Sequence, residues 1–281
     1  MELIKPRQKD GQLLADIRTF ESNTAFKVWW LGQSGFLLKW RGRYLLFDPY
    51  LSDSLTIKYR HTDKPHTRMS ELVIDPAKLY FIDIVTSSHN HTDHLDADTL
   101  IPILKNNGDI KFIIPEANRD FVAERIKCDT SFPVGINELV SFEYAGFKIT
   151  GIPAAHNSVE RNEKGECKFM GFIVEFGQYV LYHSGDTLLF DGLEEIVRPY
   201  QVDIAFLPIN GNKPERKVAG NLNPEEAALL GKAVGAKLVI PHHYHLFEFN
   251  TEDPFIFEKQ CLKLCVNNKI LELGEGLVYE K

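Results

Sequence analysis

The chain has 281 residues, 44% hydrophobic and 25% charged, with a formal charge of -7 and a pI near 5.8. That composition is ordinary for a soluble globular protein, and the acidic balance argues against nucleic acid as partner, because a nucleic-acid field needs a basic face. Met1 to Leu14 lacks the apolar stretch of a secretory signal, and no run approaches the ~18 apolar residues of a membrane span, so the expectation is one cytoplasmic domain over 1–281, as a monomer or homo-oligomer.

Taken in chain order, Pro6 to Phe20 reads as an added helix within an N-terminal extension, 1–24. Gly35–Trp40 and Tyr44–Phe47 read as two strands of a hairpin. Tyr50 to Pro76 is poor in apolar residues, and long connections of that kind are often functional. Inside it, Arg60, Lys64 and Arg68 form a basic patch, joined by His61 and His66 if these are protonated, that suits a phosphate or carboxylate. Phe81–Val85 follows as a buried strand. Leu95–Lys105 reads as a helix capped by Asp96 and stopped near Gly108, and Ile110–Pro115 as the next strand.

The second half echoes the first. Gly171–Phe176 with Tyr179–Tyr182 is another hairpin, and Asp203 opens another apolar run. Leu222–Lys232 is another helix, capped by Asn223 and stopped near Gly235, and Ala236–Pro241 another strand. Two such halves predict an α/β fold, a four-layer αββα sandwich of two pseudo-symmetric halves with sheets face to face and helices outside. Trp29, Trp30 and Trp40 sit on strands and read as core. Cys128, Cys167, Cys261 and Cys265 have no disulfide-framework spacing; Cys261 and Cys265, four apart on one helix, read as buried thiols.

Chemistry concentrates after the Phe81–Val85 run, in His89, His91, Asp93 and His94. In an extended segment His89 and His91 project to one side and can share an ion. Asp93 and His94, where the chain turns toward a helix, face elsewhere and can serve a second. His156, Asp186 and His243 each stand just past an apolar run, where α/β sheets collect ligand sites. Imidazole nitrogens and carboxylate oxygens without thiolate suit zinc, manganese or iron. Two divalent ions roughly 3.5–4 Å apart can hold a hydroxide, since a metal lowers the pKa of water from about 15.7 toward 7.

From Trp29 to about Phe249 the sequence resembles the metallo-β-lactamase superfamily of metal-dependent hydrolases. Within it, the chain is similar to the branch of ascorbate-6-phosphate lactonase and N-acylphosphatidylethanolamine phospholipase D. The matching segments are WLGQSGFLL (Trp30–Leu38), LFDPYLS (Leu46–Ser52), SSHNHTDHLD (Ser87–Asp96), YHSGDT (Tyr182–Thr187), LPING (Leu207–Gly211), NPEEA (Asn223–Ala227) and IPHHY (Ile240–Tyr244). The resemblance implies the four-layer sandwich and two ions. It implies His89, His91 and His156 on one, Asp93, His94 and His243 on the other, and Asp186 bridging. His243 is preferred to His242 because the family's ligand directly precedes an aromatic, here Tyr244. Asp93 and Asp186 are the catalytic candidates. Asp48 matches an aspartate beneath the site that orients an imidazole, and His183 neighbours the bridging position. Superfamily members that reduce oxygen or nitric oxide carry glutamate in place of His91, which favours hydrolysis here.

The resulting expectation is hydrolysis of a small anionic lactone or ester, such as a sugar-phosphate lactone, with Arg68, His66 and Lys213 (beside Arg216) as candidate anion contacts. The alternatives are a phosphodiesterase of lipid-like or nucleotide substrates, and a metal-binding sensor or scaffold without turnover.

Overall fold

The computed structural model describes residues 2–216 and 218–281. Thirteen strands lie among the described residues. The first six are β1 (Phe26–Gly32), β2 (Gly35–Trp40), β3 (Arg43–Phe47), β4 (Ile84–Thr86), β5 (Lys111–Pro115) and β6 (Val134–Ile136). The next six are β7 (Ser141–Tyr144), β8 (Phe147–Pro153), β9 (Met170–Phe176), β10 (Tyr179–His183), β11 (Ile204–Pro208) and β12 (Leu238–His242), and the last is β13 (Gly276–Tyr279). The helices are α1 (Asp10–Thr19), α2 (Ser54–Tyr59), α3 (Ala97–Asn106), α4 (Arg119–Ile126), α5 (Leu193–Val197), α6 (Pro224–Ala233) and α7 (Pro254–Leu264).

One sheet runs β13-β1-β2-β3-β4-β5-β6 and the other β12-β11-β10-β9-β8-β7. Strands β1, β2 and β3 pair antiparallel, then β3, β4 and β5 pair parallel. Strands β8, β9 and β10 pair antiparallel, then β10, β11 and β12 parallel. Thus β1 to β5 correspond to β8 to β12, and α3 corresponds to α6. This is the expected sandwich of two helix-flanked sheets built from two corresponding halves.

The inner faces meet through aromatic side chains. Phe26 packs edge-on against Phe176, and Phe36 and Phe47 meet Phe206. On β1, successive side chains alternate between faces: Phe26 turns inward, whereas Trp29 turns outward to Phe20 and to Asp16 of α1. Full burial of each such aromatic contributes on the order of 1.5–3 kcal/mol. Trp29 and Trp30 are buried, and Trp40 packs on the core while partly exposed.

Helix boundaries follow local chemistry. Asp96 accepts from Thr99 N at the start of α3, and Asn223 forms a reciprocal capping box with Glu226 at the start of α6, each cap stabilising by ~1 kcal/mol. Three expectations change. The strand read as Phe81–Val85 narrows to Ile84–Thr86, because Ile82 N–H is taken by the Asn107 side chain at 2.8 Å. The long connection from Tyr50 to Pro76 contains α2. Cys265 is exposed, since α7 ends before it and it adopts a left-handed φ of 56°; Cys261 is buried. Among the described residues, no helix is long and apolar enough to cross a membrane.

Candidate metal centre

The carboxyl ends of β3, β4, β8, β10 and β12 converge at one edge of the sandwich. The segment after β4 is not extended: it bends at His89 and closes a turn in which His94 N and Leu95 N both donate to His91 O. The turn still brings His89 and His91 together, by bending the chain rather than by strand alternation. Side chains from remote strands complete two clusters. Ligand-capable atoms of His89, His91 and His156 lie within 4.8 Å of one another, as do those of Asp93, His94, Asp186 and His243. His156 arrives from the end of β8, Asp186 from β10 and His243 from β12.

The Asp186 carboxylate lies between the clusters. Its Oδ1 is 3.2 Å from His94 Nε2 and 2.7 Å from His243 Nε2, and its Oδ2 is 3.7 Å from His156 Nε2. The strand-to-loop bend that aims it passes through Gly185, at φ +59°, where an added Cβ would sit 2.6 Å from Met170 O and 2.8 Å from Ser88 Cβ.

Several imidazoles are held by their outer nitrogens, which leaves the inner lone pairs turned to the centre. His94 Nδ1 donates to Asp48 Oδ2 at 2.8 Å, and His156 Nδ1 donates to Gly220 O at 2.8 Å. Asp48 is fully buried and also accepts from Thr86 Oγ1 at 2.6 Å and from Ser88 N at 3.1 Å. Its backbone φ of 34° makes it a turn residue as well. His183 Nε2 donates to Ser34 O at 2.9 Å and its Nδ1 accepts from Gly185 N at 3.2 Å. It stacks on Phe47 at 4.9 Å and reaches the centre through the Gly185 backbone and through Ser34, whose hydroxyl lies 3.2 Å from His94 Nδ1. His242 points into the core, stacked on His183 at 5.2 Å, and belongs to neither cluster.

The electrostatics fit a cation. His89 Nε2 is buried without a hydrogen-bond partner, an arrangement whose desolvation needs compensation. Burial pushes the Asp186 carboxyl up, but His243 and His94 outweigh it and hold it well below the usual range. Burial pushes the His94 imidazolium down, but Asp186 and Asp93 hold it well above its ordinary value. Burial, then the charges of His94 and His91, hold His89 well below. One cluster therefore attracts positive charge while the other offers neutral nitrogen donors, as imidazole–carboxylate metal sites require.

Gln33, which the motif reading did not single out, is 1% exposed and supports both halves of the second cluster. Its Nε2 donates to Asp93 Oδ2 at 2.8 Å and lies 3.0 Å from His243 Nδ1. Its place just past β1, like that of the other site residues past their strands, was the available signal.

Above the clusters opens a cavity of about 440 Å³. Leu55, Tyr59, Phe247 and Phe249 form one wall; Asn90, Arg125 and Asn221 contribute polar groups, and Lys58 and Lys64 add cationic side chains. His66 lines it too, stacked on Tyr59 at 4.2 Å; burial lowers its pKa, so it is a neutral aromatic at pH 7 rather than a cation. Arg68 and Lys213 correct the expected anion contacts. Arg68 donates to Asp53 Oδ1 at 2.6 Å and to Ser52 O, tying the connection down away from the cavity. Lys213 pairs with Glu252 at 2.7 Å, and Arg216 donates to Asn210 O and Thr251 O. Of the expected patch, Lys64 does line the cavity; Arg125 of α4, which lines it too, lies in a helix with no motif to mark it.

Comparisons agree with this architecture. Residues 43–244 match the family model described as a β-lactamase superfamily domain. The chain is 30% identical over 256 residues to a UPF0173 metal-dependent hydrolase of Bacillus thuringiensis subsp. konkukian, covering 89% of this chain and 99% of that protein. Among solved structures, it is similar to Igni18, a metallo hydrolase of Ignicoccus hospitalis, with 24% identity, a TM-score of 0.67, and coverage of 92% of this chain and 100% of that one. An isothiocyanate hydrolase from Delia radicum gut bacteria shares the fold at 15% identity and a TM-score of 0.71, over 91% of this chain and 100% of that chain.

Proposed function

The chain belongs to the metallo-β-lactamase superfamily, among its UPF0173 metal-dependent hydrolases, and from that premise we propose that it opens a small anionic lactone or ester at a two-ion centre. The proposed ligands are His89, His91 and His156 for one ion and Asp93, His94 and His243 for the other, with Asp186 shared. The observation that carries the reading is the Asp186 carboxylate between two clusters of inward-facing donors at the floor of a cavity lined by cations. Zinc or manganese, with iron as a further candidate, suits these donors.

When bound, divalent ions supply a hydroxide nucleophile at neutral pH and polarise the carbonyl under attack. The residues do the rest. Asp48 and Gly220 O hold the Nδ1 protons of His94 and His156, so that Nε2 stays available. Asp93, fixed by Gln33, is the carboxylate placed to take the proton of the attacking hydroxide and return it to the ring oxygen as that oxygen leaves. The apolar wall excludes water from one side of the substrate, and the cations attract its negative charge.

Metal analysis of the purified protein, then a lactone and phosphodiester panel with that metal added, tests the reading. Lactone opening that disappears in Asp186→Ala is the expected result. A metal-loaded protein that opens no lactone or ester would refute it. The apolar wall of Leu55, Tyr59, Phe247 and Phe249 favours one alternative, a phosphodiesterase of lipid-like substrates; turnover of bis(p-nitrophenyl) phosphate without lactone opening would select it. Metal binding with no turnover across the panel would select a sensor or scaffold.

A further inference from the structure

Arg125 projects from α4 into the cavity with only part of its guanidinium occupied. Its NH1 donates to Asn90 O at 2.6 Å and lies 3.4 Å from Leu95 O. Its stem folds back so that the guanidinium carbon lies 4.5 Å from the centroid of the Phe121 ring. Among the described residues, no carboxylate lies within 4 Å of it, and Nε and NH2 make no hydrogen bond. Asp96, whose charge attracts it, is itself spent on Ser54 and Thr99. A half-buried cation whose remaining donors face a cavity is placed to pair with an anion that enters it. This cation has no such partner within the protein, and it is anchored on the backbone carbonyl between His89 and His91. Its position relative to that turn is therefore fixed.

We propose that Arg125 is the specificity-determining contact for the substrate, receiving an oxyanion, carboxylate or phosphate, through its Nε and NH2 edge. This rests on the hydrolase reading above and deepens it. A guanidinium edge presents two parallel donors that match two oxyanion oxygens. The anion would lie on the Asn90 side of the centre. The uncharged body of the substrate would extend toward Tyr59, Phe247 and Phe249. Lys58, from α2, would add charge without fixed geometry, because it is exposed and rests over the Tyr59 ring.

The test compares matched γ-lactones on metal-loaded wild type, Arg125→Met and Arg125→Lys. One pair carries a methyl or a carboxylate on the ring, and the other a hydroxymethyl or a phosphooxymethyl. Wild type is expected to prefer the anionic member of at least one pair, and the responding pair identifies the oxyanion. Arg125→Met should raise KM for that member roughly ten- to hundredfold, the range of one charged hydrogen bond, while leaving the neutral lactone and the metal content near wild type. Arg125→Lys should retain part of the preference, which guards against a folding defect in the Met variant. Calorimetric titration with phenylacetate and phenyl phosphate gives a second readout that needs no turnover. If no lactone opens but either anion binds wild type and binds Arg125→Met at least tenfold more weakly, the lactone reading falls while Arg125 stands as the anion contact of this site. Equal losses for neutral and anionic lactones together with lost metal would make Arg125 only a brace for the His89–His91 turn, and would overturn it. So would unchanged preference and unchanged anion binding.

Discussion

Asp48→Ala removes the acceptor beneath His94 and leaves three buried donors facing a void: Thr86 Oγ1, Ser88 N and His94 Nδ1. Breaking a buried, hydrogen-bonded charge pair of this kind costs about 3–5 kcal/mol, so the metal-free protein should unfold at clearly lower denaturant. The larger consequence is local. Without Asp48 only the Ser34 and Ser88 hydroxyls, each 3.2 Å from His94 Nδ1, remain; a hydroxyl can donate as well as accept, so the proton on Nδ1 is no longer fixed, and the tautomer with Nε2 protonated cannot ligate. Loss of an outer carboxylate typically lowers metal affinity roughly ten- to hundredfold. That loss should fall on the cluster of Asp93, His94, Asp186 and His243 and spare His89, His91 and His156. Asp48→Asn keeps an oxygen that can face His94 while its amide turns to Thr86, so its loss should be smaller, about tenfold or less. Competitive chelator titration with metal counting resolves the two affinities, and 15N chemical shifts of His94 report the tautomer. Equal weakening of both clusters in Asp48→Ala, or no weakening of either, would refute the argument that one carboxylate sets one imidazole.

Gln33→Leu should weaken metal binding at the same cluster by roughly tenfold or more, because Asp93 and His243 lose their shared neighbour; chelator competition measures it. Gly185→Ala should lower stability by more than ~1 kcal/mol, from a left-handed φ and clashes with the Met170 carbonyl oxygen and the Ser88 side chain, and should lower metal content by moving Asp186. Thermal unfolding and elemental analysis check both. Alkylation of the native protein at pH 8 should label Cys265 first and leave Cys261 untouched, because burial pushes the Cys261 thiol up to about 12 and only thiolate reacts. Its labelling should rise only in denaturant, as mass spectrometry of tryptic peptides would show.

What could be read from the sequence was what depends on short-range pattern. The HxHxDH run, the caps at Asp96 and Asn223 and the two hairpins each declare themselves within a few residues, and the structure keeps all of them. What could not be read was which charges face inward across long distances. Arg68 and Lys213 are basic residues in polar loops, as an anion site would need, yet Asp53 and Glu252 claim them. Those partners are 15 and 39 positions away, beyond any local rule. Arg125 has the opposite history. Nothing near it in sequence suggests a role, and only the packing of α4 beside the His89–Leu95 turn turns it to the cavity.

The duplication accounts for where the supporting residues stand. Because β1 to β5 correspond to β8 to β12, each strand end in one half has a counterpart in the other. Asp48 after β3 stands opposite Asp186 after β10, and Gln33 after β1 opposite His156 after β8. Their flanking strand residues meet directly, Phe47 of β3 stacking on His183 of β10 with ring planes 5° apart. One member of each pair faces the donor clusters, and the other holds a donor from behind: Asp48 holds His94, and Gln33 holds Asp93 and lies against His243. A single set of strand ends, used twice, thus provides both the inner donors and the groups that orient them. Substitutions at Asp48 and Gln33 should therefore act on the cluster that the other half completes, and a variant that loosens the contact between Phe47 and His183 should disturb both halves together.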